Sequence, residues 1–166
     1  MSKLATKASN NVFYKARMNA AAYNDSLSSR EGASEQTGID RNRIAYTELG
    51  TVCPYPEEVV IYSDTYNAPE LMNYYCSTLC PIGKQCVDGV RLGSLEQASL
   101  MLLSSTKCIS EVSEQLIDVA KDGDISPDEI EKMESILDAL KVAANDIKRL
   151  ELVYKKMMGQ RRDENE

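Results

Sequence analysis

The strongest constraint in this chain is a run of apolar and small side chains that recurs every three or four residues through 94–158. Alternating steps of three and four align side chains along one stripe of a helix, as in a coiled-coil seam. The run has two halves: Leu95, Ala98, Leu102, Ser105, Ile109, Val112, Leu116 and Val119, then Met133, Ile136, Leu140, Ala143, Ile147, Leu150, Tyr154 and Met157.

The break between the halves has the signals of a helix end and a helix start. Asp122-Gly123-Asp124 stops the first helix, and Ser126-Pro127-Asp128-Glu129 has the order of a capping box with proline at the first helical position. Two long helices joined by so short a turn must lie antiparallel. A lone hairpin buries one side of each stripe, so we expect a second subunit to cover the rest, which predicts a homodimer through residues 94–158.

The first 76 residues contain shorter helical signals separated by capping and breaking residues. Ser29 and Asp40 are typical N-caps, Gly38 and Gly50 are typical helix ends, and prolines mark the entry to later helices. The predicted helices cover 11–24, 30–36, 41–49, 57–66 and 70–75.

The predicted fold is therefore all-α with four parts. A five-helix N-terminal domain covers residues 1–76, and a connector rich in Cys, Gly and Pro covers 77–93. A long antiparallel, coiled-coil-like hairpin covers 94–158, and we expect 159–166 to be a disordered tail.

The absence of histidine narrows the function classes. It excludes Ser-His and Cys-His nucleophiles and every zinc site with imidazole ligands, so we expect no enzyme and no cofactor. No secretory signal and no stretch of about 20 apolar residues is present, so we expect a cytoplasmic protein without membrane contact. The five cysteines are then expected to be thiols.

Charge is unevenly distributed along the chain, whose formal net charge is -7. Residues 1–47 carry seven basic and four acidic side chains, whereas the remaining 119 residues carry 12 basic and 22 acidic ones. A basic head on an acidic body fits a protein that contacts DNA with one end only.

Residues 30–50 read REGASEQTGIDRNRIAYTELG, and TVCPYPEE and NAPEL follow at 51–58 and 67–71. This order resembles the helix-turn-helix of the Cro/C1-type, or XRE-like, transcriptional regulators of bacteria, phage and mobile elements, over about residues 11–75. The resemblance implies a lambda-repressor-like DNA-binding domain. In that arrangement the second helix of the pair enters the major groove while the first crosses the DNA backbone.

The resemblance also implies roles for individual residues. Arg41, Asn42 and Tyr46 occupy positions that face base edges, and arginine and asparagine pair with guanine and adenine respectively. Arg30, at the start of the preceding helix, is expected to hold a phosphate or the edge of the site.

The rest of the predicted DNA-binding set surrounds these residues. Arg43 and Thr51 are expected to contact phosphate, and Asp40 begins the reading helix. Thr37 and Thr47 depart from the family pattern, which usually has apolar residues there, but a buried threonine can hydrogen-bond the preceding helical turn.

A cysteine cluster leaves a second kind of site open. Cys76, Cys80 and Cys86 lie within 11 residues, and a four-thiolate metal or iron-sulfur site would need Cys53 or Cys108 as well. The usual Cys-x-x-Cys spacing is absent. The alternative is that these thiols pack as small apolar side chains.

These patterns predict a sequence-specific regulator of transcription, most simply a repressor, that binds double-stranded DNA as a homodimer on a pseudo-palindromic operator. Two alternatives remain open. One is a protein-interaction adapter, such as an antirepressor or antitoxin-like protein, whose acidic hairpin captures a regulatory protein. The other is a DNA-binding sensor with a cysteine-based metal or redox site.

Overall fold

The structure is a computed structural model that describes the backbone of residues 8–163 and side chains as far as Arg161. Over this range the chain is all-helical and has no strand, as predicted. The α-helices are α1 (Val12–Ala20), α2 (Arg30–Thr37), α3 (Arg41–Leu49), α4 (Pro56–Thr65), α5 (Glu70–Tyr74), α6 (Gly83–Cys86), α7 (Leu95–Val119) and α8 (Ile130–Asp163).

Two compact units make up the described chain. The first, here called the head, comprises residues 8–89 with the last residues of α8 from 158 onward; the second, the hairpin, comprises 90–157. Contacts thus divide the chain after Gly89, whereas the sequence suggested a boundary at 76/77. Residues 159–163, predicted as a disordered tail, continue α8 instead, because the four residues after Gly159 include no helix breaker.

The predicted connector is more structured than its composition suggested. A π-helical turn, Tyr75–Leu79, extends α5, and α6 follows it. Gly83 approaches the backbone of Cys76 so closely that an added Cβ would lie 2.2 Å from the carbonyl oxygen. Glycine is therefore required at this position.

The head is held by one apolar cluster that includes Phe13, Leu27, Ile44, Tyr62 and Leu71. The ring of Phe13 meets that of Tyr62 edge to face with centroids 5.8 Å apart, the geometry that aromatic quadrupoles favour. Local capping fixes the ends of the helices: the Asn11 side chain accepts the N–H groups of residues 13 and 14 at the start of α1. All five predicted N-terminal helices are present.

The hairpin is built on the predicted seam. On α7 the buried positions Ala98, Ser105, Val112 and Val119 lie seven residues apart. Its partner positions on α8 include Ile136 and Ala143. The predicted capping box forms only in part: Glu129 accepts from the N–H and the hydroxyl of Ser126, at 3.0 and 2.5 Å, but its own N–H donates to the Ser126 carbonyl. The helix α8 accordingly begins at Ile130 and not at Pro127.

The predicted seam is wrong in the second half of α8. Ile147 and Tyr154 are 48% and 59% exposed, whereas Asp146 and Val153 are buried in their place. Ile136 and Ala143 are seven residues apart, as are Asp146 and Val153, so the heptad spacing is kept, but Asp146 follows Ala143 by three residues where the sequence analysis placed a step of four. Ser105 donates to Asp146 at this level of the hairpin, and Asp146 also pairs with Arg149.

None of the described helices combines the length and the apolar character that crossing a bilayer requires.

Candidate nucleic-acid interface

The helix-turn-helix consists of α2 and α3 joined by the three residues 38–40. Ser29 caps α2 through a 3.0 Å bond from the Gly32 N–H, and Gly38 ends it with a φ of 70°, a left-handed conformation that glycine adopts without strain. The Asp40 side chain then accepts the N–H groups of Asn42 and Arg43 at 2.9 and 3.2 Å. The predicted bounds of α3 and its cap are confirmed.

One side of α3 is exposed and carries the residue types predicted to read bases. Asn42, Tyr46 and Leu49 follow each other at steps of four and three, so they share one helix face, and Tyr46 is 51% exposed. Arg41 is exposed beside them. Just past the end of α3, the Thr51 hydroxyl donates to the Tyr46 carbonyl at 3.1 Å.

The opposite side of α3 is anchored by a buried ionic cluster that the sequence analysis did not foresee. Glu48, on the Ile44 side of the helix and 1% exposed, accepts from Arg17 Nε at 2.6 Å and from Arg30 Nε at 2.7 Å. Arg17 also donates to the Leu27 and Ser28 carbonyls. The sequence did contain a signal for this cluster: Glu48 lies one helical turn after the apolar anchor Ile44. A carboxylate on the buried side of a helix needs a cation as its partner.

Arg30 lies at the start of α2, where the sequence placed it. Its Nε is bound to the Glu48 carboxylate, and a quarter of its side chain stays exposed. The residue is thus positioned by α3 as well as by its own helix.

Arg43, predicted to contact phosphate, is held within the chain. Its guanidinium donates to both carboxylate oxygens of Glu58, at 2.7 and 2.8 Å, and lies 4.5 Å from the ring centroid of Tyr55. The Glu58 hydrogen bond raises the pKa of Arg43. Partial burial opposes ionisation of Glu58, but hydrogen bonds from Arg43 and the Tyr55 N–H outweigh it and lower its pKa. This pair joins α3 to the start of α4.

Arg41 forms the fourth arginine pair of the head. Its Nε lies 2.7 Å from Glu31, and both side chains are about 60% exposed. Each arginine from Arg17 to Arg43 therefore faces a carboxylate. Of the other basic residues counted in the head, Lys15 is exposed, while Lys3 and Lys7 lie outside the described residues. The positive potential around α3 is consequently weaker than the count of charges implied.

The two threonines that depart from the family pattern are both buried. Thr37 donates to the Ala33 carbonyl at 2.7 Å, the contact with the preceding turn that the sequence suggested. Thr47 lies against Tyr62, whose pKa burial raises to about 12. Burial likewise raises the pKa of Tyr66. The hydroxyl groups of Tyr62 and Tyr66 thus stay protonated and uncharged in the core of the head.

The cysteines make only local contacts. Cys80 Sγ accepts from the Gly83 N–H, and Cys86 Sγ donates to the Ile82 carbonyl, each at 3.4 Å, while Cys76 is half-buried. Within the described residues no three side chains of His, Cys, Asp or Glu meet in an arrangement able to hold a metal ion. Cys76, Cys80 and Cys86 do not form such a site there.

The chain was compared with protein-family models, with curated proteins and with solved structures, and none of them matches it.

Proposed function

We propose that the head binds double-stranded DNA sequence-specifically, with α3 entering the major groove. The observation that carries this proposal is that α3 has one buried, anchored side and one exposed side. Ile44 and Glu48 fix its inner side in the head, while Asn42 and Tyr46 are exposed on its outer side. Base readout requires this combination, because side chains discriminate bases only when a rigid element holds them in register.

The exposed residue types suit the edges of bases. The Asn42 amide can donate to and accept from adenine at the same time, and Tyr46 offers a hydroxyl and an apolar ring one turn further along the groove. Thr51, at the end of α3, is suited to a phosphate.

Arg41 can join this set by exchanging its partner. Its pair with Glu31 is exposed on both sides, and such pairs contribute about 0–1 kcal/mol. A bidentate contact with guanine contributes about 1–3 kcal/mol of discrimination. Arg41 therefore gains by leaving Glu31 and pairing with a guanine. Arg43, in contrast, keeps its better-formed pair with Glu58 and acts by positioning α3.

The resemblance of residues 11–75 to Cro/C1-type regulators, which implies a lambda-repressor-like domain, also supports the proposal. By the same argument we propose that two copies bind a pseudo-palindromic operator, with half-sites about one helical turn apart, and regulate transcription there.

The proposal is tested by selecting duplexes from a random library and measuring their affinity by fluorescence anisotropy at about 50 and 200 mM salt. Asn42→Ala and Arg41→Ala should each weaken binding by about tenfold and relax the preference at one base pair. Lys84→Ala, on α6, removes the same charge as Arg41→Ala at an exposed position outside the predicted DNA-binding set and should leave affinity unchanged. Wild-type protein with no salt-dependent affinity for any duplex would contradict the proposal.

A second candidate, a protein-interaction adapter, is favoured by one observation. The four arginines from Arg17 to Arg43 are paired with carboxylates, which lowers the attraction to phosphate, and the hairpin carries an excess of acidic side chains. An adapter would show no duplex affinity and would bind one basic protein in fixed stoichiometry, with loss of binding in Glu114→Lys/Glu134→Lys.

A further inference from the structure

The hairpin has opposite charges at its two ends. Residues 111–138, here called the tip, carry ten acidic and two basic side chains, a net charge of -8. Residues 90–110 and 139–157, here called the root, carry seven basic and three acidic side chains, a net charge of +4. Of these charged groups Asp146 is buried; most of the others, including Glu114, Glu134, Lys107 and Lys148, are exposed.

Exposed apolar side chains accompany the charges at both ends. The inner seam is satisfied within one chain, since Val112, Val119 and Ile136 pack together. Other apolar side chains remain outside it: Ile117, Ile125, Ile130 and Leu137 at the tip, and Leu95, Leu100, Met101, Leu103, Val142, Ile147 and Tyr154 at the root. The surface available to a partner is therefore this outer set, which shares Leu95, Ile147 and Tyr154 with the seam from which the sequence predicted a dimer.

Apart from pairs at the boundary of tip and root, such as Lys141 with Asp138, the charges of the two ends lie too far apart to pair within one hairpin. Glu134 and Lys148 are 14 residues apart on α8, which corresponds to about 21 Å along the helix at 1.5 Å per residue. This is twice the screening length of about 10 Å at 0.1 M salt. The exposed pairs within each helix, such as Lys141 with Asp138 at 3.4 Å, are of the weak surface kind and can exchange partners.

We propose that the hairpin binds a second copy of itself in antiparallel orientation, the tip of each copy lying on the root of the other in a four-helix bundle. Opposite charges then meet at both ends, related by a two-fold axis. A parallel dimer would place two tips of charge -8 side by side. The outer apolar side chains, present at tip and root alike, are covered in the same contact.

This inference deepens the proposed function, because it says how two heads are joined, but it does not depend on DNA binding. Dimerisation is measured on the full-length chain without DNA, by sedimentation equilibrium at about 50 mM and 1 M salt. We expect a dimer at low salt whose dissociation constant rises with salt.

Two variants with the same net charge separate the antiparallel arrangement from others. Lys107→Glu/Lys148→Glu, at the root, and Lys121→Glu/Lys132→Glu, at the tip, each change the formal net charge from -7 to -11. The antiparallel contact predicts that the root variant dimerises at least tenfold more weakly at low salt. The tip variant should dimerise as tightly as wild type or more tightly.

Circular dichroism first establishes that both variants keep the helical content of the wild type. Equal weakening of the two variants, or a larger effect of the tip variant, would overturn the antiparallel arrangement. A wild-type protein that stays monomeric at about 50 μM, a concentration at which specific protein dimers normally form, would overturn self-association altogether. Neither result decides whether α3 binds DNA, because the anisotropy experiment tests that proposal separately.

Discussion

The head and the hairpin bury charge in different ways. In the head, Glu48 is enclosed by two arginines from different elements, and the cluster is part of a core with aromatic rings. In the hairpin, buried Asp146 meets Ser105 and Arg149 at one level of an otherwise simple seam. The head thus fixes a single arrangement of α3 through long-range contacts, while the hairpin depends on a repeating local pattern and leaves apolar side chains on its outside.

The largest effect that tests this comparison is expected at Glu48. Glu48→Ala leaves the guanidinium of Arg17 buried without its carboxylate, and breaking a buried pair in this way costs about 3–5 kcal/mol. The free energy of unfolding is measured by urea denaturation. Glu31→Ala removes an exposed arginine partner and should cost less than about 1 kcal/mol.

A double variant sharpens the interpretation of that result. Arg17→Met/Glu48→Leu replaces both charges with apolar side chains and should recover much of the lost stability, because a buried pair and its apolar replacement are often similar in energy. If Glu48→Ala costs no more than Glu31→Ala, α3 is not anchored by the ionic cluster.

The next effect tests which residues form the seam within one hairpin. Ile136→Ala empties a fully buried position and should destabilise the protein by about 2–4 kcal/mol. Ile147→Ala makes the same chemical change at a position that is exposed within one chain, and in the monomer it should cost less than about 0.5 kcal/mol. Thermal or urea unfolding followed by circular dichroism gives both values, at a salt and protein concentration at which sedimentation shows the monomer. Equal costs would mean that Ile147 belongs to the seam within one chain, as the sequence predicted.

The smallest of the three effects depends on pH and concerns the head. Tyr62 ionises near pH 10 when unfolded, whereas burial raises its pKa to about 12 in the folded protein. The folded state therefore retains a proton that the unfolded state loses, and stability that is present below pH 10 falls as the pH rises toward 12.

The loss attributable to Tyr62 is about 2 kcal/mol at pH 12. It is measured as the difference in unfolding free energy between wild type and Tyr62→Phe over pH 9–12, which cancels other alkaline titrations. A constant difference across this range would show that the Tyr62 hydroxyl ionises equally easily in both states.

Local signals in the sequence predicted the helices well, because caps and breakers act within a few residues. Asp40 and Gly50 gave the ends of α3 correctly. The same signals could not reveal the partner of Glu48, since Arg17 lies 31 residues away and only the packing of α1 against α3 brings the two together. Nor could these signals show that Arg43 would form an ion pair with Glu58 of the following helix.

The hairpin shows a different limit. Periodicity predicted the buried side of α7 from Ala98 to Val119, although Leu95, the first residue of the predicted seam, is exposed. On α8 it placed Ile147 where the structure buries Asp146. A pattern of apolar residues could not reveal this, because Asp146 is polar and is buried with Ser105 and Arg149 as its partners. Short elements were also missed: α6 and the π-helical turn before it are too brief to produce a period.

The spacing of the buried positions on α7 makes the length of the hairpin adjustable in fixed steps. Since Ala98, Ser105, Val112 and Val119 repeat every seven residues, deleting seven residues from each arm would remove one layer and shorten the hairpin by about 10 Å without turning its outer faces. A deletion of four residues would rotate everything beyond it. The length of the hairpin can therefore be changed in steps of seven residues while the direction of its outer faces is kept.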